Sequence, residues 1–181
     1  MLSGGSLVGA HTVSGSSTPT IAFTLDSRHD FLNPVQLQIT PAGAAWRLRW
    51  QPVAGAQGYL AVAAAPGRQE DDLVIWTSSA RTWGEDPLQD LATLLGGAAT
   101  GAAAGDEMEV LMPPSQTDCA VSAEARQAMQ AGVLTFLAPA APQRRQAAGA
   151  APAWRVQVER QALHLHPLME NLHGEPARRD G

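Results

Sequence analysis

From Thr20 onward the chain alternates apolar and polar residues with period two. Ile21, Phe23 and Leu25 alternate with Ala22 and Thr24, and Val35, Leu37 and Ile39 with Gln36, Gln38 and Thr40, which predicts two half-buried strands. The cleanest alternation follows, with Trp46, Leu48 and Trp50 on one side and Ala45, Arg47 and Arg49 on the other. One face of that strand is apolar and the opposite one carries two guanidinium groups. Residues 51–58 contain a proline that stops ladder pairing and two glycines that permit positive φ. Residues 59–64 resume as a strand of small residues, so the two strands read as a hairpin. Residues 72–77 form a nearly continuous apolar run through Leu73, Val74, Ile75 and Trp76, as expected of a strand covered on both faces or lying at a partner surface.

Two short helices are predicted between strands. Asp86 caps a first turn with Pro87 at the favoured opening position and Gln89 at the reciprocal capping position; Leu88, Leu91, Leu94 and Leu95 share one side, and Gly96 ends the helix. Ser122 caps a second helix running to about residue 130, with Gly132 as its terminator and residues 133–137 as a further strand. Between the helices Met108, Val110 and Met112 alternate ahead of Pro113 and Pro114. Residues 1–19, rich in Gly, Ser and Thr, predict a flexible N-terminal arm or an added strand, and residues 97–105 and 138–152 predict low-complexity loops. A single domain spanning 20–166 and a polar tail, 167–181, complete the organisation.

The closing strand changes phase. Trp154, Val156 and Val158 lie on even positions, whereas Leu163 and Leu165 lie on odd ones. One inserted residue near 160–162 reconciles the two, predicting a β-bulge that leaves His164 and His166 exposed. The other arrangement is an uninterrupted strand, with Leu163 and Leu165 on the face opposite Trp154 and covered by a helix or a partner.

Composition narrows the function classes. All 12 basic residues are arginine, and the net charge is -5, the wrong sign for a polyanion partner and an argument against nucleic acid. A single cysteine, Cys119, excludes an internal disulfide framework. No apolar run is long enough to span a membrane. The first twenty residues do not read as a secretory signal, so a complete chain is expected in the cytoplasm, and one from which a signal was removed in the cell envelope.

The segment WRLRWQPVAGAQGYLAVAA, with Trp50 ending one strand, a proline two residues on, a Gly-Ala turn and Tyr59 opening the next, resembles the B strand, turn and C strand of fibronectin type III modules. That resemblance implies an antiparallel β-sandwich, fibronectin- or immunoglobulin-like, in which Trp50 and Tyr59 belong to the core, here with two inserted helices. The family's late-strand tyrosine is missing, because Tyr59 is the only tyrosine. The later pattern, with Trp76, Cys119 and Trp154, is also similar to small bacterial proteins, a likeness that implies no activity.

Candidate chemistry is sparse. His164 and His166, at i and i+2 on one strand face, supply two ligands for zinc, copper or nickel, with His173, Glu170 or Glu159 as a third; the competing reading sets both on the solvent face of an edge strand. Cys119, just ahead of the Ser122 helix, is the one candidate nucleophile, against a role as a small buried hydrophobe. The acidic groups at 70–72, 85–86, 106–107 and 124 adjoin turns and element starts, where carboxylates act as caps. No phosphate loop, dinucleotide fingerprint or nucleophile elbow is present, so no cofactor is expected. The leading expectation is a non-enzymatic protein-binding or structural module with Trp76 and Trp83 as contact residues. A small metal-binding domain using His164 and His166 is the first alternative, and an enzyme with a Cys119 nucleophile the second.

Overall fold

A computed structural model describes residues 5–69, 72–79, 111–129, 131–146 and 155–169. These residues are mainly β, and every strand pairing among them is antiparallel. The helix expected from Asp86 lies outside the described residues, as do Trp83, Trp154 and the tail beyond Met169. Among the described residues one α-helix is present, α1 (Ala123–Ala128), and Ser122 caps it by accepting the Ala125 N–H at 3.1 Å. No described helix is long and apolar enough to cross a membrane.

The segment read as an arm or an added strand contributes a strand. β1 (Gly9–Gly15) pairs with β2 (Thr18–Leu25), and His11 stacks on its cross-strand neighbour Phe23 with ring centroids 5.3 Å apart. β3 (Leu37–Ala42), β4 (Ala45–Trp50) and β7 (Asp118–Val121) form a three-stranded sheet with β4 central. β5 (Leu60–Pro66), β6 (Leu73–Thr77), β8 (Ala131–Pro139) and β11 (Gln161–Met169) form a four-stranded sheet in the order β11-β8-β5-β6. β9 (Gln143–Gln146) and β10 (Arg155–Val158) make a separate two-stranded ribbon.

The expected hairpin of residues 45–50 and 59–64 is corrected by this topology. β4 pairs with β3 and β7, whereas β5 pairs with β6 and β8, so residues 51–59 carry the chain from one sheet to the other. Each strand finds better-matched neighbours elsewhere: the Trp46, Leu48 and Trp50 face continues onto Cys119 and Val121 of β7. Gly132 is likewise no helix terminator. It lies within β8, where a Cβ would overlap the Ala64 carbonyl oxygen and crowd Ala65.

Inward-facing side chains of both larger sheets share one buried cluster. Leu48, Trp50 and Val121 come from the three-stranded sheet; Ala61, Ala63, Ala65, Leu134, Phe136, Ala138, Ala162 and Leu168 come from the four-stranded one. The alanines of β5 leave room for the large rings, and Trp50 lies 4.8 Å from Phe136 and 5.3 Å from Tyr59 by ring centroid. Such aromatic contacts contribute about 0.5–1.5 kcal/mol each beyond area burial. Arg47 and Arg49 face outward, and Arg47 pairs with Asp118 at 2.8 Å. On the other face of the four-stranded sheet Leu60, Val62 and Leu137 form a smaller cluster with Ile75 and Leu111. β5 is therefore buried on both faces, which its run of small and branched apolar residues permits.

Candidate functional site

The site with the clearest unexplained chemistry is the closing strand. β8 and β11 pair in a regular register from Gln161 opposite Pro139 to Met169 opposite Ala131, and the ladder resumes beyond a junction where Val158 faces Gln143. Between these points the closing side contributes residues 159 and 160 and the opposing side residues 140–142. The extra residue thus sits in the strand opposite the predicted place. Arg160 holds the junction, its Nη1 donating to the carbonyls of Arg28 at 3.1 Å and Asp30 at 2.7 Å. Of the expected loop at 138–152, the described residues 138–146 are more than a linker: Ala138 and Ala140 are buried, and β9 follows.

Because the closing strand gains no residue, its even positions stay inward from Val156 to Leu168. Ala162 and Leu168 are buried, and His164 and His166 are half-buried between them. Leu163 and Leu165 instead face outward at 51% and 60% exposure, joined by Met169 at 56% and Val133 on β8. The prediction of a bulge in this strand with exposed imidazoles and inward leucines is therefore corrected: the histidines are in and the leucines are out. Strand phase is imposed by the ladder with β8 and not residue by residue, so the greater apolarity of Leu over His does not decide which of them faces inward.

The two imidazoles lie side by side, 6.2 Å apart by centroid and within 16° of parallel. Nε2 of His164 is enclosed and no hydrogen-bond partner reaches it. The expected same-face pair is thus present. A third ligand is not: among the described residues no group of three His, Cys, Asp or Glu is placed to hold a metal ion. Glu159 accepts instead from the Gln157 side chain, while Glu170 and His173 lie outside the described residues.

The backbone of β11 defines a second property. The Ala140 N–H donates to the Arg160 C=O at 2.9 Å, so even-numbered residues of β11 exchange bonds with β8 and odd-numbered ones turn N–H and C=O away from it. Among the described residues no strand pairs with that other side. Pro167, which has no N–H, falls on an odd position, as expected of proline on an edge strand. The nine residues of β11 contain no Asp, Glu, Lys or Arg. Free edges are usually protected by charge; among the described residues this one has only its proline.

The other candidates are structural in their surroundings. Trp76 is half-buried and packs against the main cluster. Cys119 is half-buried opposite Leu48, and burial, with a smaller contribution from the Asp118 charge, pushes its thiol up to about 12. A thiol so placed stays protonated at neutral pH and is a poor nucleophile. Only the second arrangement read from the sequence sets Leu163 and Leu165 on the outer face, and it expects them covered; they and Met169 are exposed. The signal available was nine residues of strand pattern without one charged side chain.

No protein-family model, curated protein or solved structure matches this chain.

Proposed function

We propose that this chain is a non-enzymatic protein-binding module with a fibronectin type III-like β-sandwich core, and that it engages partners by adding an extended strand to the free edge of β11. The strand order supports the architecture. In immunoglobulin-type sandwiches strands A, B and E share one sheet and C, F and G the other. Counting from β3 and omitting the β9-β10 ribbon, the first, second and fifth strands here pair together, and the third, sixth and seventh pair together with the fourth beside the third. Trp50 and Tyr59 lie in the buried cluster, where the resemblance puts them.

The observation that carries the function is the uncharged β11 edge, with Leu163, Leu165 and Met169 exposed beside it. Strand addition takes affinity from main-chain hydrogen bonds and specificity from alternate side chains, and β11 offers both. Trp76, packed on the core, serves better as support than as contact.

The test uses a fluorescent peptide copying residues 161–169 with both histidines changed to threonine, in buffer containing a chelator. Fluorescence anisotropy should rise saturably with the chain, fall on adding unlabelled peptide, and stay flat with Leu165→Lys, since an edge lysine opposes pairing. A flat titration with the unaltered chain overturns the proposal.

A further inference from the structure

We infer that two copies of this chain pair antiparallel along the free edges of β11, about a two-fold axis at Leu165, and that His164 and His166 of both copies then form one four-imidazole site for a divalent transition cation. This inference rests on the edge-pairing reading above and names its partner as a second copy.

Ligand number gives the first reason. Structural zinc sites are almost always four-coordinate, with zinc–nitrogen distances of about 2.0–2.1 Å. The chain places two imidazoles side by side on one face, and no third group joins them among the described residues. The site is half of one, and an identical half completes it.

Register gives the second reason. Odd residues of β11 point their backbone groups to the free edge, so an antiparallel two-fold pairing with direct main-chain bonds at its centre is centred on an odd residue. Centring on Pro167 sets two residues without N–H groups against each other. Centring on Leu163 sets His166 opposite Arg160, whose guanidinium is already committed to the carbonyls of Arg28 and Asp30. Centring on Leu165 pairs that residue with its own copy through two hydrogen bonds and sets His164 opposite His166 of the second copy, and the reverse. These histidine pairs fall at non-hydrogen-bonded positions, where opposed Cα atoms approach to about 4.5 Å and side chains come closest. Opposed residues share a sheet face, so all four imidazoles converge on one side.

The remaining surface agrees. On the opposite face this register lays Leu165 beside Leu165 and Leu163 beside Pro167 of the second copy, covering side chains that are now more than half exposed. With no Asp, Glu, Lys or Arg in β11, the two strands meet without the like-charge repulsion that opposes self-pairing.

The experiment takes the full chain without a histidine tag, stripped with chelator, and titrates it with Zn²⁺ while sedimentation velocity follows its mass and metal analysis its zinc content. Uptake should saturate at one zinc per two chains as the dimer forms. His164→Gln and His166→Gln should each abolish that uptake. Leu165→Lys, an outward substitution checked for retained fold by circular dichroism, should lose both uptake and dimer. No uptake, or one zinc on a monomeric chain, overturns the site. A chain that dimerises in chelator and binds the threonine peptide yet takes no zinc overturns the metal site while leaving the edge-pairing reading standing. A chain that takes zinc as a monomer and ignores the peptide overturns both.

Discussion

The Tyr59 hydroxyl oxygen accepts the backbone N–H of Val53 at 2.9 Å, tying the start of β5 to the turn that carries the chain between sheets. Val53 and Tyr59 are both buried, so the bond is not exchangeable for one to water. Tyr59→Phe keeps the ring against Trp50 and Phe136 and removes only the acceptor. Leaving the N–H unsatisfied should cost about 1–3 kcal/mol, read as a lowered urea midpoint at unchanged slope. A midpoint within error of the parent chain would show that the bond holds nothing in place.

Gly132 has no room for a methyl group, because its Cβ would overlap the Ala64 carbonyl and sit 2.5 Å from the Ala65 Cβ. Both obstacles belong to the central strand β5, so neither moves aside as a flexible side chain would. Gly132→Ala should destabilise by about 1–3 kcal/mol or more, against the usual gain when alanine replaces glycine in a strand-compatible conformation. Thermal unfolding decides the sign; an unchanged or raised midpoint contradicts the packing.

Arg126 covers Trp46, its guanidinium carbon 5.2 Å from the ring centroid, and Nη1 donates to the Gly43 and Ala45 carbonyls at 3.1 and 3.0 Å. Lysine keeps the charge but not the planar fork, so Arg126→Lys should cost about 0.5–1.5 kcal/mol. Asp118→Asn, which breaks the solvent-exposed pair with Arg47, should cost at most about 1 kcal/mol and less in high salt. Chemical denaturation of the two variants side by side tests the ranking, which is reversed if the Arg47–Asp118 pair matters more.

Cys119 supplies the pH dependence. Burial chiefly, and then the Asp118 charge, raise its thiol from an ordinary value near 9 to about 12. The unfolded chain releases this proton first, so its contribution to stability is whole below about pH 8.5 and is lost progressively as pH climbs towards 12. Between pH 8 and 10 the urea midpoint should fall more steeply for the parent than for Cys119→Ala. Alkylation by iodoacetamide at pH 8 should be slow in the folded chain and fast in urea. Rapid alkylation of the folded chain would contradict the buried thiol.

The regular strands were legible because period-two alternation is a local signal: Trp46, Leu48 and Trp50 declare their inner face whatever they pair with. The Ser122 cap was legible for the same reason. Strand partnership was not. Nothing local to residues 45–64 states that β4 and β5 belong to different sheets, and β9, made of Gln and Arg, has no apolar alternation to announce it. The histidine pair was visible as a same-face motif, but its facing depended on where the extra residue of the closing ladder lies. That residue sits among Ala140, Ala141 and Pro142, where no large side chain marks a phase.

We propose above that the outer side of β11 is an open edge for strand addition. Its most direct test is residue-resolved amide hydrogen exchange on the dilute chain in chelator. The amides of Ala162, His164, His166 and Leu168 should exchange slowly and those of Leu163 and Leu165 fast, the alternation of an edge strand bonded on one side only. Adding the threonine-substituted peptide should slow Leu163 and Leu165 while leaving the even-numbered amides as they were. Uniform protection along β11 before the peptide is added, or unchanged rates at Leu163 and Leu165 afterwards, would contradict it.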